Sequence, residues 1–383
     1  MTRPTHGGNL VWAATIADCS PHALLDFSAS INPLGMPNSA RMALQDALET
    51  LTSYPDPNYT DLKRAIAAHH NLAPEWILPG NGAAELLTWA CRDLADYGST
   101  DLITPAFADY DRALTAAGVS IHRCRLKSPD QPLLTASGLS LAAQSPSTPP
   151  HLSRGILLNN PHNPTGQLLS AEDIKSRVLD HPNYGLVVLD EAFMDFLPPE
   201  QQQSLVAWIE DYPQLVILRS LTKFYAIPGL RLGYAIAHPD RLARWNHWRD
   251  PWTVNTLAAR VGEVVLQDLA FQSRTYDWLA IAKPKLEKDL AGLPGLSVYP
   301  GSVNFVLVRS DLSVLDVQRR LLQDHKIYIR DCMSFPELGD RFFRVAVRTV
   351  AENDRLIVGL AWVLEQQFQL QQGLASEIAP THH

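Results

Sequence analysis

Apolar residues recur along this chain in two rhythms that take turns. Largely apolar runs at 155–159, 186–189, 214–218 and 231–237 read as strands, as do the segments 76–78, 101–104 and 119–126. Between them lie stretches whose apolar positions fall three and four apart. These are 39–51 (Met42, Leu44, Ala47, Leu48, Leu51), 60–70, a helix opened by Gly80-Asn81-Gly82-Ala83-Ala84-Glu85 and running to Leu94, and a helix ending at Ala117. Ser170, with Asp173 three residues on, caps another. Strands alternating with helices predict an α/β fold with a mostly parallel central sheet covered on both faces.

The rhythm fails or changes in four places. Residues 1–36 keep no sustained period and read as an N-terminal arm. The Ser/Pro-rich segment 128–150 reads as a loop with one frayed helix. From about 251 the order becomes helices at 256–270 and 272–291, strands at 296–299 and 303–308, a helix at 314–325, strands at 327–330 and 342–347, and a last helix near 351–370. That order predicts a smaller α+β lobe. The expected organisation is an arm (1–36), a large domain (37–250), a small domain (251–370) and a disordered tail (371–383).

The totals agree with two domains and remove some partners. A chain of 383 residues that is 46% hydrophobic can bury a sizeable core. A net charge of −8 with no basic block argues against nucleic acid. No run is apolar enough to span a membrane and no signal-peptide pattern opens the chain, so a cytoplasmic protein is expected. Cys19, Cys91, Cys124 and Cys332 are scattered without metal-ligand spacing, so free thiols and no metal site are expected.

The candidate chemistry centres on Ser220-Leu221-Thr222-Lys223 and the residues after it, through Arg231. Lys223 directly follows a buried strand, where a solvated lysine is costly. Ser220, Thr222 and Arg231 suit phosphate oxygens. A lysine with a lowered pKa can form a Schiff base with a carbonyl cofactor, and pyridoxal phosphate brings a phosphate as well. Other stretches allow two readings each. The glycines before Ala83 are a plain turn or an anion site at a helix start. Phe107 and Tyr110 are core or cofactor support. Asp190, at the carboxyl end of a strand, caps a helix or meets a ligand. Arg330, Arg344 and Arg348 are surface charges or anion holders. His6 is a loose terminus or a site residue, and Tyr54, in Ser53-Tyr54-Pro55-Asp56-Pro57, is packing or contact. Asn160-Pro161-His162-Asn163-Pro164-Thr165-Gly166 makes a rigid turn, with His162 as a turn residue.

Residues 219–234, RSLTKFYAIPGLRLGY, resemble the lysine motif of fold-type I pyridoxal-phosphate enzymes in the histidinol-phosphate aminotransferase group. The resemblance runs from His6 to about Val350. It implies the architecture of those transferases, a pyridoxal 5'-phosphate cofactor on Lys223, and a homodimer with shared active sites. It further implies main-chain phosphate contacts from Ala83 and Ala84, and phosphate contacts from Ser220, Thr222 and Arg231. Tyr54 would reach the partner's cofactor phosphate. Phe107 would stack on the pyridine ring, with Tyr110 as fallback. Asn163 would bond the phenolic oxygen, and Asp190 would pair with the protonated ring nitrogen. His6 would lie near the substrate's phosphate, Asn32 near its carboxylate and Asn163 against the substrate, while Arg330 and Arg344 would hold the two anions, without a decision as to which arginine takes which.

Within that group, His6-Gly7-Gly8-Asn9, Ala29-Ser30-Ile31-Asn32-Pro33-Leu34-Gly35 and the lysine stretch resemble the members that decarboxylate L-threonine O-3-phosphate to the aminopropanol phosphate of cobalamin side chains. Phe193 points the same way, because the transaminating members carry a tyrosine there. The bond that breaks is the one held perpendicular to the cofactor ring, and pose decides which it is. Transamination of histidinol phosphate or a relative is therefore the alternative. A non-catalytic cofactor-binding module is a third reading, opposed by the complete set of catalytic positions.

Overall fold

The structure is a computed structural model that describes residues 2–131, 133 and 153–378; most of the Ser/Pro-rich segment 128–150 lies outside the described residues. The N-terminal arm is more regular than expected. Leu10–Ala17 forms a helix, α1, because the Asn9 side chain accepts the Trp12 N–H and caps its first turn. Trp12, Ala13 and Ala17 pack with Leu322 and Tyr328, and a helix apolar on most sides leaves no amphipathic period to read. Strand β1 (Leu25–Asp26) follows and pairs in parallel with Ile327–Tyr328.

The chain then builds its larger compact unit, Ile31–Asp277. Its elements in order are α2 (Asn38–Ala47), α3 (Thr60–His70), β2 (Ile77–Asn81), α4 (Ala83–Leu94), β3 (Thr100–Thr104), α5 (Ala108–Ala116), β4 (Ile121–Arg125) and β5 (Arg154–Asn159). After them come α6 (Ala171–Ile174), β6 (Tyr184–Asp190), β7 (Leu215–Ser220), β8 (Leu232–Ala237), α7 (Pro239–Trp248) and α8 (Thr256–Val265). Among the described residues, seven strands form one sheet in the order β2-β8-β7-β6-β5-β3-β4. Strands β7, β6, β5, β3 and β4 are mutually parallel, while β8 runs antiparallel to both β7 and β2. The exception has a local cause. The β7–β8 connection is the lysine loop itself, a tight return without a crossover helix, and such a return reverses the strand. Val187, Val188, Leu189, Val216, Ile217 and Leu218 are fully buried, as a sheet covered on both faces requires.

The smaller unit joins Met1–Ser30 to Trp278–His383. The division therefore falls at 277/278, inside α9 (Leu269–Ala291), rather than at the 250/251 boundary expected from the sequence. The change of rhythm at 251 marks where the large sheet ends, not where its packing ends: α8 still buries Ala258, Val261 and Val265 and packs with α2 and α3. The smaller unit carries β9 (Leu296–Tyr299), β10 (Phe305–Ser310), α10 (Val314–His325), β11 (Ile327–Tyr328), β12 (Arg330–Asp331), β13 (Phe342–Ala346) and α11 (Val350–Ile378). Four of its strands make an antiparallel sheet, β12-β13-β10-β9. The arm is tied to it by Ala346 N–H to Phe27 O (2.9 Å) and Asn304 Nδ2 to Ser30 O (3.0 Å). Helix α11 continues to Ile378, so the expected tail from 371 is helical over its first turns; 379–383 lie outside the described residues.

One close approach supports the whole larger sheet. At Gly233 of β8, a Cβ would stand 2.6 Å from the Ala83 nitrogen and 2.7 Å from the Arg219 carbonyl oxygen. Both neighbours are backbone and cannot swing aside. Gly233→Ala is expected to cost about 3 kcal/mol, at the upper end for overpacking, read as a lower denaturant midpoint. Gly229→Ala, where nothing lies within 4 Å, should leave that midpoint near the parent's.

Candidate active site

Parallel strands open their carboxyl ends at one edge of a sheet, and the candidate residues of the larger unit lie on the loops leaving that edge. Asp190 ends β6 and is paired in register with Leu218 of the neighbouring β7, which places the two loops side by side. The Asp190 carboxylate accepts from the Tyr110 hydroxyl at 2.7 Å and from the Ala192 N–H at 2.9 Å. Burial pushes its pKa up, while Tyr110, the charge of Lys223 and Ala192 pull it back. Burial, followed by the same carboxylate, holds the Tyr110 phenol well above its ordinary value, so it remains a donor.

Lys223 is half-buried in the first turn after β7, and its ammonium lies 4.9 Å from the centre of the Phe193 ring. Asn32 braces this turn. Its N–H donates to Lys223 O (3.0 Å), and its side-chain amide donates to Phe224 O (2.8 Å) and to the Thr275 hydroxyl (2.9 Å). Both amide hydrogens are taken within the protein.

The phosphate end is built on glycine. Gly82, at φ +75°, precedes α4 and gives that helix no side-chain cap. A Cβ there would lie 2.6 Å from Arg231 Nη2, so only glycine lets the guanidinium lie over the helix start. Arg231 is held in the left-handed region (φ 57°), and Ser220 and Thr222 share a hydroxyl–hydroxyl bond of 2.8 Å. Ala83 and Ala84 are half-buried in the first turn of α4. A helix N-terminus, a guanidinium and two hydroxyls form a donor set that suits a phosphate dianion. Together with Lys223 and Asp190, these groups fit pyridoxal phosphate.

The remaining candidates fall in order. Phe107 is half-buried at the start of α5, edge-on to Tyr110 at 5.6 Å. Tyr110 is buried with its hydroxyl on Asp190. Asn163 is buried in its turn. That turn is braced by Asn160, whose side chain bonds the Leu169 backbone in both directions (2.8 and 3.1 Å), and by His162 against Thr165 (2.8 Å). Burial lowers His162 to about 3. Tyr54 is 81% exposed and packs its ring on Trp252 at 4.7 Å.

In the smaller unit, Arg330 and Arg344 are cross-strand partners, both buried. Arg330 donates to Thr5 O and to the Ser334 hydroxyl, and Arg344 lies 4.4 Å from the centre of the Phe305 ring. Burial, then the charge of Arg330, lowers Arg344 to about 10. Two buried like charges on adjacent strands call for an anion. Arg348 instead pairs with Glu352 at 2.8 Å. His6 lies one residue from Thr5, whose carbonyl Arg330 holds.

The sequence reading missed two groups. Tyr110 was considered for stacking and serves Asp190. Arg219, which the sequence reading met only as the first residue of the lysine motif, is buried and ion-paired; an arginine directly after an apolar run was the available signal, since a buried charge needs a partner. One Cys/His/acid cluster exists among the described residues, Asp101, His122 and Cys124. Its carboxylate already takes Arg154 and the Tyr184 hydroxyl, and burial raises the Cys124 thiol to about 12, so it makes a poor metal site.

The class I and II aminotransferase family profile matches residues 23–360. Threonine-phosphate decarboxylase of Salmonella typhimurium is 43% identical over 363 residues, 94% of this chain and 96% of that enzyme. Histidinol-phosphate aminotransferase 2 of Ralstonia nicotianae is 38% identical over 287 residues, 75% of this chain and 74% of that protein. Among solved structures, the histidinol-phosphate aminotransferase of Clostridium acetobutylicum superposes with a TM-score of 0.81 at 28% identity, covering 90% of this chain and 100% of that one.

Tyr110→Phe removes one donor from Asp190 without changing the shape of the core. The apoprotein should bind pyridoxal phosphate about tenfold more weakly in an absorbance titration, the worth of one hydrogen bond to a charged group, about 1.5 kcal/mol. Parent-like affinity would mean that Ala192 and Lys223 alone set the carboxylate.

Proposed function

The chain belongs to the class I and II aminotransferase family, and on that footing we propose that it removes carbon dioxide from L-threonine O-3-phosphate to give (R)-1-amino-2-propanol phosphate for cobalamin biosynthesis. The near full-length identity to a threonine-phosphate decarboxylase carries this reading. Phe193 supports it, since phenylalanine at this position places no hydroxyl beside Lys223.

Pyridoxal phosphate, when bound, supplies an electron sink for the bond broken at the substrate's alpha carbon. The main chain at Ala83 and Ala84, with Ser220, Thr222 and Arg231, would hold its phosphate. Asp190 would keep the ring nitrogen protonated, Asn163 would donate to the phenolic oxygen, and Phe107 would cover the ring face. Lys223 would hold the cofactor carbonyl until substrate arrives. In decarboxylation the carboxyl carbon leaves as carbon dioxide and a proton takes its place on the alpha carbon; Lys223 Nζ is the group that would deliver it.

The substrate brings two anions, a carboxylate and a phosphate, and Arg330, Arg344 and His6 are the groups we assign to them. A buried charge left without its partner is worth about 2–5 kcal/mol of binding. Threonine, without the phosphate, is therefore a poor substrate, and histidinol phosphate has no carboxylate to lose.

The working form in this reading is a cytoplasmic homodimer in which Tyr54 reaches the partner's cofactor phosphate. Met42, Leu48, Leu51, Tyr54 and Trp252 are large apolar or aromatic side chains that this single chain leaves exposed, as a face meant for a second copy would be. Transamination of histidinol phosphate is the second reading, favoured by the likeness to the Ralstonia enzyme.

Incubation with threonine phosphate and 2-oxoglutarate separates the two. Carbon dioxide without glutamate is the expected result; glutamate without carbon dioxide promotes the aminotransferase. Arg344→Gln should raise KM for threonine phosphate roughly 30-fold or more, from the lower bound of about 2 kcal/mol for a lost buried partner. Lys223→Ala should be colourless after dialysis and should yield no borohydride-fixed cofactor, whereas a fixed adduct in that variant would move the attachment to another lysine.

A further inference from the structure

Arg219 is the next-to-last residue of β7 and is 2% exposed. Its Nε lies 3.0 Å from Glu191 Oε2 as an ion contact, its Nη1 2.5 Å from Asp195 Oδ1, and its Nη2 donates to the Ser204 hydroxyl at 3.2 Å. Glu191 is fully buried. It also accepts from the Ser204 hydroxyl (2.7 Å) and the Leu205 N–H (3.1 Å). Burial pushes the Glu191 carboxyl up, against the pull of Arg219, Ser204 and Leu205.

Sequence position gives this cluster its meaning. Glu191 directly follows Asp190, and Arg219 directly precedes Ser220, four residues before Lys223. Side chains alternate across a strand, so the ion pair occupies the side of the strand ends opposite Asp190 and Ser220. The backbone repeats the link, with the Glu191 N–H on Leu218 O at 2.8 Å. Asp195 and Ser204 extend it to the loop that carries Phe193.

Stability alone does not explain such a group. Two charges removed from water are expensive, and an apolar pair of similar volume usually serves the fold as well or better. We propose that Arg219, with Glu191 and Asp195, is a positioning clamp that sets the place of Asp190 and Lys223 relative to each other and so tunes how the chain holds its cofactor. The clamp rests on the assignment of Lys223 and Asp190 made above. It touches neither substrate nor cofactor; it acts through the two strand ends. Only Arg219 has a forked head able to engage two carboxylates and a hydroxyl at once, which a lysine cannot do.

Two variants test it. Arg219→Met/Glu191→Leu replaces the pair with apolar side chains, and Glu191→Gln removes one charge while keeping the shape. Three quantities are read on each: the unfolding midpoint of the apoprotein, its affinity for pyridoxal phosphate by absorbance, and kcat against KM of the loaded enzyme. The expected result is a midpoint near the parent's in the double variant, with cofactor affinity down at least tenfold and kcat down at least tenfold at a KM within threefold. In Glu191→Gln the same losses should appear in smaller measure. Parent-like cofactor affinity and kcat in either folded variant overturn the clamp, and so does loss of the fold in Glu191→Gln, which would make the pair a stability element. These outcomes are separable from failure of the functional reading. A borohydride adduct persisting in Lys223→Ala removes the lysine assignment, whereas unchanged affinity in Glu191→Gln removes only the clamp.

Discussion

The parallel pairing of β6 with β7 is the constraint on which the larger unit's chemistry depends. Four successive register partners, ending at Asp190 and Leu218, bring the two strands to the same edge. The ladder continues past the strand ends: Glu191 N–H bonds Leu218 O at 2.8 Å, and on the other side Asn160 N–H bonds Asp190 O at 2.9 Å. Three loops therefore leave the sheet from fixed points. They carry Asn163, Asp190 with Phe193, and Lys223. A one-residue slip in either pairing would turn Asp190 to the opposite face, because side chains alternate along a strand.

Charge is distributed around this edge in a way that separates tasks. The acid, Asp190, is half-buried and given two donors that oppose the upward push of desolvation on its pKa. At the start of α4 the missing Cβ of Gly82 lets the Arg231 guanidinium lie over the helix N-terminus, where the dipole is positive. The smaller unit holds a second kind of positive site. Its Arg330 and Arg344 are neighbours across β12 and β13, and burial, then the charge of Arg330, lowers the pKa of Arg344.

In the proposed reaction Lys223 would serve loss of a proton or of carbon dioxide alike, and the choice would depend on which bond stands perpendicular to the cofactor ring. Phe193 lies beside the lysine, with its ring centre 4.9 Å from the ammonium and no hydroxyl to offer.

Local sequence was sufficient for what depends on neighbours along the chain. Buried strands showed as apolar runs, helices as spacings of three and four, and the lysine loop by its hydroxyls, glycine and arginine. Ser170 capped its helix as its spacing with Asp173 implied, accepting the Asp173 N–H at 3.1 Å. What depends on contacts distant in sequence was decided only by the tertiary structure. Helix α1 had no period because it is buried on several sides by residues some three hundred positions away. The reversed direction of β8, and the membership of α8 in the larger unit, follow from how segments return and pack. The Tyr110 hydroxyl meets a carboxylate 80 residues later, and the Asn32 amide braces the lysine turn 192 residues on. Arg219 stood only at the head of the lysine motif, and folding made it the partner of two acids. A residue's propensity and hydrophobic period report the surface it needs; which polar group answers it is settled only when the strands are laid side by side.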